Sequence, residues 1–450
     1  MRSRAGWLSL LLLGLAIPSH GYRMSAWLPS WDAKAVTSMQ LNAGKLDEAN
    51  PPWYQIAADG GVTKNYNAEA ADLRAALSGI DLLPTVQNYI GGRFDGNAVA
   101  SIVGSPDLRE KHAEALTLLV VQNAFAGIDI DYENLAAATR PNFTLLVQLL
   151  AQKLHGAGKK LSVTVHAKTS DADNWTGPAG EDWRAIGAAA DTVKIMAYDN
   201  HWNGSAAGAI APLDWLDNIA TYAEATIPAQ KVVMGLPWYG YDWQGASAAG
   251  LVYSEAIALA QRVGAQIAHD INGEATFSYS GHTVYFQDAS SYTKKIDAIL
   301  KKHPKIAGFA HWRAGGEDPV IWTDVARLKS SSSSGATPVT GSFVIAGPSS
   351  LSAVAGRSSL FSYAVTPIDG WNGTADVAVQ QIDQFPGTVS ISQTARPGSP
   401  AVLTVAPIAN AAAGQYRLKI RMTSGTLVNE STLTVKIDPA AANKRRSAHH

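Results

Sequence analysis

The sequence contains no cysteine, and its 450 residues carry almost no net charge. Without cysteine the protein can form no disulfide and carry no lipid on a cysteine, so its stability outside a cell must come from a substantial hydrophobic core. The formal net charge of −1 gives no electrostatic reason to expect nucleic acid or an anionic membrane as a partner. The length is sufficient for one large domain and one smaller domain.

Long hydrophobic runs are also scarce, and the clearest one, Trp7–Ile17, is too short to span a bilayer. Two arginines precede it, and the small residues Ser19 and Gly21 follow it at the positions that signal peptidase inspects. This pattern predicts a secretory signal peptide over residues 1–21, with an uncleaved anchor as the alternative. We therefore expect a secreted or extracytoplasmic protein, in the periplasm or at the cell surface, with no membrane attachment after cleavage.

The most informative stretch is Phe125–Asn134, which reads FAGIDIDYEN. In a strand its period of two places Asp129, Asp131 and Glu133 on one face and bulky residues on the other. Three neighbouring carboxylates are costly unless they share protons or partners, which favours acid chemistry as their purpose. The alternative is a surface strand with an acidic outer face, but the bulky residues indicate that the second face is covered too.

Short β-type runs alternate with helical segments over about the first 300 residues. This pattern predicts an α/β fold, a (β/α)₈ TIM barrel whose chemistry lies at the carboxyl ends of the strands. A doubly wound open sheet is the alternative, although no glycine-rich phosphate loop follows the first strand. The predicted strands are Met24–Leu28, Trp53–Ala57, Asp81–Val86, Gly127–Tyr132, Leu161–Val165, Val193–Ala197, Val232–Leu236 and Ile306–Ala310.

Residues 241–305 are too many for a simple crossover between strands 7 and 8. A helical segment, Ser254–Val263, and two hairpin-like strands, Thr276–Ser280 and His282–Gln287, predict a small α+β insertion there.

The last hundred residues have a different character. A serine-rich linker is predicted over residues 330–341, followed by a period of two without helices over 342–438 and a basic tail over 439–450. We expect an immunoglobulin-like β-sandwich. We interpret it as a spacer rather than a polysaccharide-binding module, for which Trp371 is the one exposed-aromatic candidate.

Several segments together resemble glycoside hydrolase family 18, the chitinase-like enzymes. Ala126–Glu133 is similar to the DxxDxDxE signature, Met196–Asp199 to the MxYD motif, and Trp312 to the tryptophan that floors the central sugar site. The resemblance covers residues 24–327 and implies that residues 22–329 form the barrel domain. Five longer segments look most like the bacterial branch that includes spore-wall N-acetylglucosaminidases: Ala26–Asp32, Val163–Thr169, Met196–Trp202, Gly235–Trp243 and His311–Trp322.

The resemblance implies a substrate-assisted reaction, in which the acetamido oxygen of the sugar attacks the anomeric carbon. Glu133 would then be the general acid and later the base, with a pKa that the nearby aspartates raise. Asp131 would bind the acetamido N–H and stabilise an oxazolinium ion, and Asp129 would share a proton with Asp131. Tyr198 would donate to the acetamido oxygen and align it.

Further residues at the predicted strand ends are expected to bind the sugar. They are Asp199, Met196, Trp312, Trp238, Tyr239 and Asn88. Trp27, Trp31 and Trp53 fit either sugar subsites or barrel packing. His166, His201 and His311 also lie near strand ends, but their spacing is not that of metal ligands, so we expect sugar contacts or supporting hydrogen bonds and neither a metal nor a cofactor.

The function predicted is a secreted, retaining, monomeric glycosidase that cleaves β-1,4-linked N-acetylglucosamine polymers. Chitin and peptidoglycan both remain open as substrates. The alternatives are a non-catalytic, lectin-like glycan-binding barrel and an adhesive surface protein that acts through its β-sandwich. Ala126 departs from the signature, which has an aspartate there; the position is farther from the acid than Asp129, so we expect catalysis to survive.

Overall fold

The structure is a computed structural model that describes residues 21–65, 71–172, 175–330, 342–368, 371, 374–392, 394–397, 399–424 and 427–438. The chain divides into an N-terminal and a C-terminal compact unit. The predicted signal peptide up to residue 20, the linker from residue 331 onward and the basic tail lie outside the described residues. Among those that are described, no helix combines the length and hydrophobicity needed to cross a membrane.

The N-terminal unit alternates strands and helices. Its strands are β1 (Arg23–Trp27), β2 (Glu48–Asn50), β3 (Tyr54–Ile56), β4 (Val62–Lys64), β5 (Asp81–Leu82), β6 (Thr85–Gln87), β7 (Tyr89–Ile90), β8 (Arg93–Phe94), β9 (Gly127–Asp131), β10 (Lys160–His166), β11 (Thr192–Met196), β12 (Val232–Pro237), β13 (Gly240–Gln244), β14 (Ser247–Leu251), β15 (Ala268–His269), β16 (Ala275–Tyr279), β17 (His282–Phe286) and β18 (Gly308–Trp312). Its helices are α1 (Ala33–Asn42), α2 (Ala71–Ala76), α3 (Gly96–Gly104), α4 (Pro106–Gln122), α5 (Arg140–Gly156), α6 (Trp183–Ala189), α7 (Leu213–Thr226), α8 (Tyr253–Val263), α9 (Ala289–Lys302) and α10 (Ile321–Ser330).

The main sheet is a curled sheet with the order β4-β3-β6-β9-β10-β11-β12-β18-β1-β2-β5. Its strands from β6 through β18 to β2 and β5 pair in parallel, which confirms the predicted α/β architecture. Strand β5 stands at one end of this order, and β6 stands near the other end. In the chain, only Leu83 and Pro84 separate these two strands. Because parallel strands end at the same edge, Glu133, Tyr198, Tyr239 and Trp312 are brought to one side of the sheet.

The predicted strand Trp53–Ala57 is present as β3, but a strand that was not predicted, β2, lies beside β1. The strand that pairs with β1 is β2, Glu48–Asn50, and not Trp53–Ala57. Residues Tyr54–Ile56 instead form β3, which lies beyond β6 at the edge of the sheet. Glu48 and Asn50 lack the apolar character that predicts a buried strand. Their buried side chains are satisfied by distant partners, Lys194 for Glu48 and the carbonyl oxygen of Leu83 for Asn50.

Helix α5 illustrates how the helices cover the sheet. Leu146, Leu150 and Leu154 recur at a spacing of four residues and are all buried. Gln148 and Gln152 lie on the opposite face and are exposed. Helical periodicity therefore gives the buried face of this helix directly from the sequence.

Between β12 and β18 the chain forms a second, antiparallel sheet in the order β14-β13-β17-β16-β15, with α8 packed on it. The predicted hairpin is present as β16 and β17. Its turn is at Gly281, whose φ of +81° suits glycine. Tyr239 and Tyr241, near the start of this region, remain close to the ends of the main sheet.

The C-terminal unit is rich in strands: β19 (Ser342–Ala346), β20 (Ser350–Val354), β21 (Ser359–Ile368), β22 (Ala375–Gln381), β23 (Gly387–Ile391), β24 (Thr394–Ala395), β25 (Ala401–Pro407), β26 (Gly414–Ser424) and β27 (Leu427–Asp438). They form two sheets, β19-β21-β25-β23 and β20-β27-β26-β22-β24. Trp371 is buried against Phe343, with ring centroids 4.5 Å apart, so it is not the exposed aromatic that a polysaccharide-binding module would need.

Candidate active site

Strand β9 arranges three carboxylates in order of increasing exposure. Asp129 is 0% exposed and Asp131 is 6% exposed, whereas the Glu133 side chain, just beyond the strand, is 20% exposed. The period of two that the sequence shows places all three on one face. The row therefore runs from the interior of the curled sheet to its open edge, where Glu133 is the most exposed of the three.

Asp129 is surrounded by donors from neighbouring strands. Trp27 Nε1 donates to it at 3.2 Å, Thr85 Oγ1 at 3.0 Å and Thr164 Oγ1 at 3.1 Å. Lys194 Nζ lies 3.3 Å from Asp129 Oδ1 and 2.5 Å from Glu48 Oε1, and the three charged side chains are fully buried. This buried cluster, Asp129–Lys194–Glu48, pairs the innermost carboxylate with a cation.

Asp131 has a different environment from Asp129. Gln87, its direct neighbour in the register of β6 and β9, donates to Asp131 Oδ2 at 2.7 Å. Among the described residues no group bonds to Asp131 Oδ1, although that oxygen is buried, and none bridges Asp131 to Asp129. Burial, and then the neighbouring charge of Glu133, raise the pKa of Asp131 well above its usual range. Asp131 therefore has one buried oxygen that is free to accept a hydrogen bond from a ligand.

Asn88 holds the segment that carries Glu133. Its side-chain Oδ1 accepts from the Glu133 backbone N–H at 2.9 Å, and its Nδ2 donates to the Glu133 carbonyl at 2.8 Å. The Asn88 side chain is fully buried, so the prediction that it lines the cleft was wrong. Its amide fixes the backbone of Glu133 instead.

The predicted aromatic and acidic residues at the ends of β11 and β12 come together. Tyr198 lies edge-on to Tyr239, with ring centroids 6.1 Å apart. Asp199, held at a positive φ of 61°, accepts hydrogen bonds from the hydroxyls of Tyr239 and Tyr241, the latter at 3.1 Å. Burial raises the pKa of Tyr198 well above its usual value, so its hydroxyl remains a donor.

Trp312 ends β18 beside this group and is partly exposed. It contacts Trp27 edge-on at 6.4 Å, and Trp27 in turn donates to Asp129. Trp312, Asp199 and Tyr239 line one concavity at the edge of the main sheet. Met196 lies at the end of β11, in register with His166 on β10.

Several predicted contacts are buried in the core instead. Trp238 is 0% exposed and stacks on His311 at 4.2 Å, so its prediction as a sugar-binding residue was wrong. His311 is also fully buried, between Ser25 O at 2.7 Å and Tyr292 Oη at 2.9 Å. Trp27 and Trp53 are buried and therefore pack in the interior. Trp31 is 55% exposed and lies at the surface.

His166, for which the sequence predicts a sugar contact or a supporting hydrogen bond, lies next to Glu133. Its Nδ1 lies 2.7 Å from Glu181 Oε1 and its Nε2 lies 3.4 Å from Glu133 Oε2. Burial lowers the pKa of His166, but the charges of Glu181 and Glu133 outweigh burial and raise it to about 10. The imidazole is therefore cationic at neutral pH and lies between two carboxylates.

The ionisation of His166 should make stability depend on pH. Because its pKa is higher in the folded protein, about 10, than the usual 6.5, its contribution is complete below pH 6.5 and is lost as pH rises toward 10. The full contribution is on the order of a few kcal/mol. Urea unfolding followed by tryptophan fluorescence at pH 6.5, 8 and 9.5 measures it. The His166→Gln variant should lose this part of the pH dependence, and an unchanged dependence in the variant would contradict the assignment.

Comparison with known proteins places these features in context. The family model described as "Glycosyl hydrolases family 18" matches residues 31–317, more than half of the chain. A chitinase from Chromobacterium violaceum ATCC 12472 is similar in structure, with 29% identity and a TM-score of 0.64, covering 68% of this chain and 98% of that one. The spore cortex-lytic enzyme SleL of Bacillus cereus shares the fold at 23% identity and a TM-score of 0.63, covering 69% of this chain and 74% of that one.

A cortical fragment-lytic enzyme from Bacillus anthracis is 27% identical over 267 residues, which is 57% of this chain and 61% of the relative. The chain thus spans about three-fifths of the length of the first curated relatives that it matches.

Proposed function

The chain belongs to glycosyl hydrolases family 18, and we propose that it is a retaining glycosidase that cleaves β-1,4-linked N-acetylglucosamine polymers with the help of the substrate's own acetamido group. The observation that carries this proposal is the environment of Asp131. A buried carboxyl group with a raised pKa and an unpartnered oxygen lies two residues from an accessible glutamate. That arrangement suits a site that binds an amide N–H beside a general acid.

Glu133 is the proposed acid that protonates the leaving glycosidic oxygen and then, as a carboxylate, activates water. Asp131 Oδ1 accepts the acetamido N–H, which aligns the acetamido oxygen for attack on the anomeric carbon and stabilises the positive oxazolinium ion. Asp129 stays paired with Lys194, and its charge acts on Asp131 across the row rather than through a shared proton.

The remaining residues bind and orient the sugar in this proposal. Tyr198 donates its hydroxyl to the acetamido oxygen, and its raised pKa supports that role. Trp312 provides an apolar floor for the pyranose ring, because sugar C–H groups pack on aromatic faces. Asp199, with its two tyrosine donors, and Met196 border the same sugar.

Ala126 does not interfere with this assignment. It precedes β9, whereas Glu133 lies beyond the other end of that strand. Seven residues of extended chain place the two positions roughly 20 Å apart. An aspartate at position 126 would therefore lie far from the reacting atoms.

We also propose a specific architecture for each of the two units. The curled sheet is proposed to be a (β/α)₈ barrel, supported by the pairing of β2 with β5 and of β6 with β9. The C-terminal unit is proposed to be an immunoglobulin-like sandwich that serves as a spacer, and the chain to be secreted as a monomer. The relatives include a chitinase and a cortical fragment-lytic enzyme, which supports chitin and peptidoglycan as the two polymers to test.

Substrates without the acetamido group should not be cleaved. The expected result is hydrolysis of chitooligosaccharides or of peptidoglycan glycan strands, and no detectable hydrolysis of cellooligosaccharides of equal length, because a 2-hydroxyl group cannot form the oxazolinium ion. Product analysis by chromatography measures this. Turnover of both series at similar rates would contradict the substrate-assisted mechanism. Binding of oligosaccharide without any cleavage would indicate a lectin.

A further inference from the structure

Glu133 has a charged neighbour that the proposed reaction does not use. His166, the last residue of β10, is buried beside it, with Nε2 at 3.4 Å from Glu133 Oε2. Glu181 approaches the imidazole from the opposite side, with Oε1 at 2.7 Å from Nδ1. We propose that His166, together with Glu181, is a positioning residue of the glycosidase that orients the Glu133 carboxylate and sets the upper pH limit of hydrolysis.

Glu181 is built to hold the imidazole in one orientation. Its carboxylate accepts the backbone N–H of His166 at 3.0 Å as well as the ring Nδ1. Trp183 Nε1 donates to its other oxygen at 3.3 Å, and its side chain is only 1% exposed. A buried carboxylate with this many donors fixes the plane of the imidazole ring, so Nε2 points toward Glu133.

The loop that carries Glu181 is fastened to the sheet. The buried Lys168 Nζ donates to the carbonyl oxygens of Glu181 at 2.7 Å and of Pro178 at 3.3 Å. The Gly177 N–H donates to Leu135 O at 2.9 Å, which ties the loop to the segment just after Glu133. The pair of His166 and Glu181 is therefore held in a fixed place relative to the proposed acid.

Trp175 covers the imidazole from the solvent side. Its ring meets the His166 ring edge-on, with centroids 4.9 Å apart. A Cβ on Gly177 would lie 2.8 Å from the Trp175 ring and 3.2 Å from the imidazole, and its φ of +128° also requires glycine. The glycine thus permits a close cover over His166, which lowers the local dielectric and strengthens its interaction with Glu133.

The charged groups around His166 determine how the imidazolium acts on Glu133. The groups that face it are Glu181 from the loop before α6, Glu133 and Asp131 from the β9 segment, and Lys168, which lies behind Glu181. Because Lys194 is already used by Asp129 and Glu48, His166 is the cation that remains for Glu133 among the described residues near the row. A cation at this place stabilises the negative charge that Glu133 carries when it acts as the base.

The same cation must limit the acid step. Hydrolysis requires a protonated Glu133 at the start, so kcat/KM should fall as pH rises, and a nearby positive charge moves that fall to lower pH. Replacing His166 by glutamine removes the charge and should move the basic limb of kcat/KM to higher pH by about one unit or more. Glu181→Gln should give a shift in the same direction, because without its carboxylate the buried imidazole loses its proton.

The experiment is a pH profile of kcat and KM on chitooligosaccharides for the wild type, His166→Gln and Glu181→Gln, with His155→Gln as the matched control. His155 also pairs with a carboxylate, Asp191 at 2.9 Å, but lies exposed on α5. The expected result is an upward shift of the basic limb in both site variants, a lower kcat with KM changed less than about threefold, and no change in the control.

This inference depends on the proposed function, and its failure can be distinguished from the failure of that function. If the wild type cleaves the substrate but the basic limb of kcat/KM does not shift in His166→Gln and Glu181→Gln, the role of His166 is overturned and the proposed function stands. A wild type that does not cleave would overturn the proposed function. If His166→Gln fails to fold, Glu181→Gln, which keeps the size of the side chain, still decides the question.

Discussion

Replacing Glu133 by glutamine is expected to lower kcat on chitooligosaccharides by about 10²- to 10⁴-fold. Glutamine keeps the shape of the side chain but can neither donate the proton to the leaving oxygen nor accept one from water. The bonds from Asn88 go to the backbone of Glu133 and so survive the change. Steady-state kinetics on a purified oligosaccharide measures the loss, and binding should remain.

The matched control is Glu114→Gln on helix α4. Glu114 is an exposed glutamate that pairs with Lys153 of helix α5 at 3.0 Å. Its replacement should leave kcat unchanged within experimental error, because exposed ion pairs contribute little. Equal activity of the wild type and Glu133→Gln would remove Glu133 from its assigned role.

Replacing Lys194 by methionine is expected to lower the free energy of unfolding of the N-terminal unit by about 3–5 kcal/mol. Methionine fills a similar volume but leaves the carboxylates of Asp129 and Glu48 buried without their shared cation. The cost is that of an uncompensated buried charge rather than of a lost contact. Urea unfolding monitored by tryptophan fluorescence reports mainly on this unit, since Trp371 is the one tryptophan beyond residue 330.

Lys160→Met provides the comparison. Lys160, on the neighbouring strand β10, pairs with Asp81 at 2.5 Å, but the Lys160 side chain is 40% exposed. Its loss should cost less than about 1 kcal/mol. Similar destabilisation by the two substitutions would show that burial of the charge cluster does not matter for stability.

The sequence allowed good prediction of features that depend on local periodicity. The alternation in FAGIDIDYEN places three carboxylates on one face, and the structure has them there. The spacing of Leu146, Leu150 and Leu154 gives the buried face of α5. Both signals arise within a few residues of chain, where strand or helix geometry fixes the direction of each side chain.

Features that depend on distant partners could not be predicted. Lys194 and Glu48 are 146 residues apart, and nothing in either segment indicates that they meet inside the sheet. A lysine within the otherwise apolar strand β11 was the available signal. Gln87 and Asn88 are adjacent polar residues at the end of β6, yet one bonds to the Asp131 side chain and the other to the Glu133 backbone.

Burial at the strand ends was equally hard to infer. Trp238 and Trp312 both follow or end an apolar strand, so the sequence gives them the same prediction. In the structure Trp238 is covered by His311 and Trp322, whereas Trp312 faces the cleft beside Asp199. The difference comes from the packing of α10 and the neighbouring strands, which local sequence does not encode.

A substrate-assisted glycosidase retains the anomeric configuration, so the anomeric form of the first product distinguishes it from an enzyme that uses direct attack by water. Proton NMR recorded during the first minutes of chitooligosaccharide hydrolysis distinguishes the two anomers before they interconvert. Attack by the acetamido group followed by attack of water inverts the anomeric carbon twice, so the account predicts β-anomer as the initial product. Initial formation of the α-anomer would contradict it.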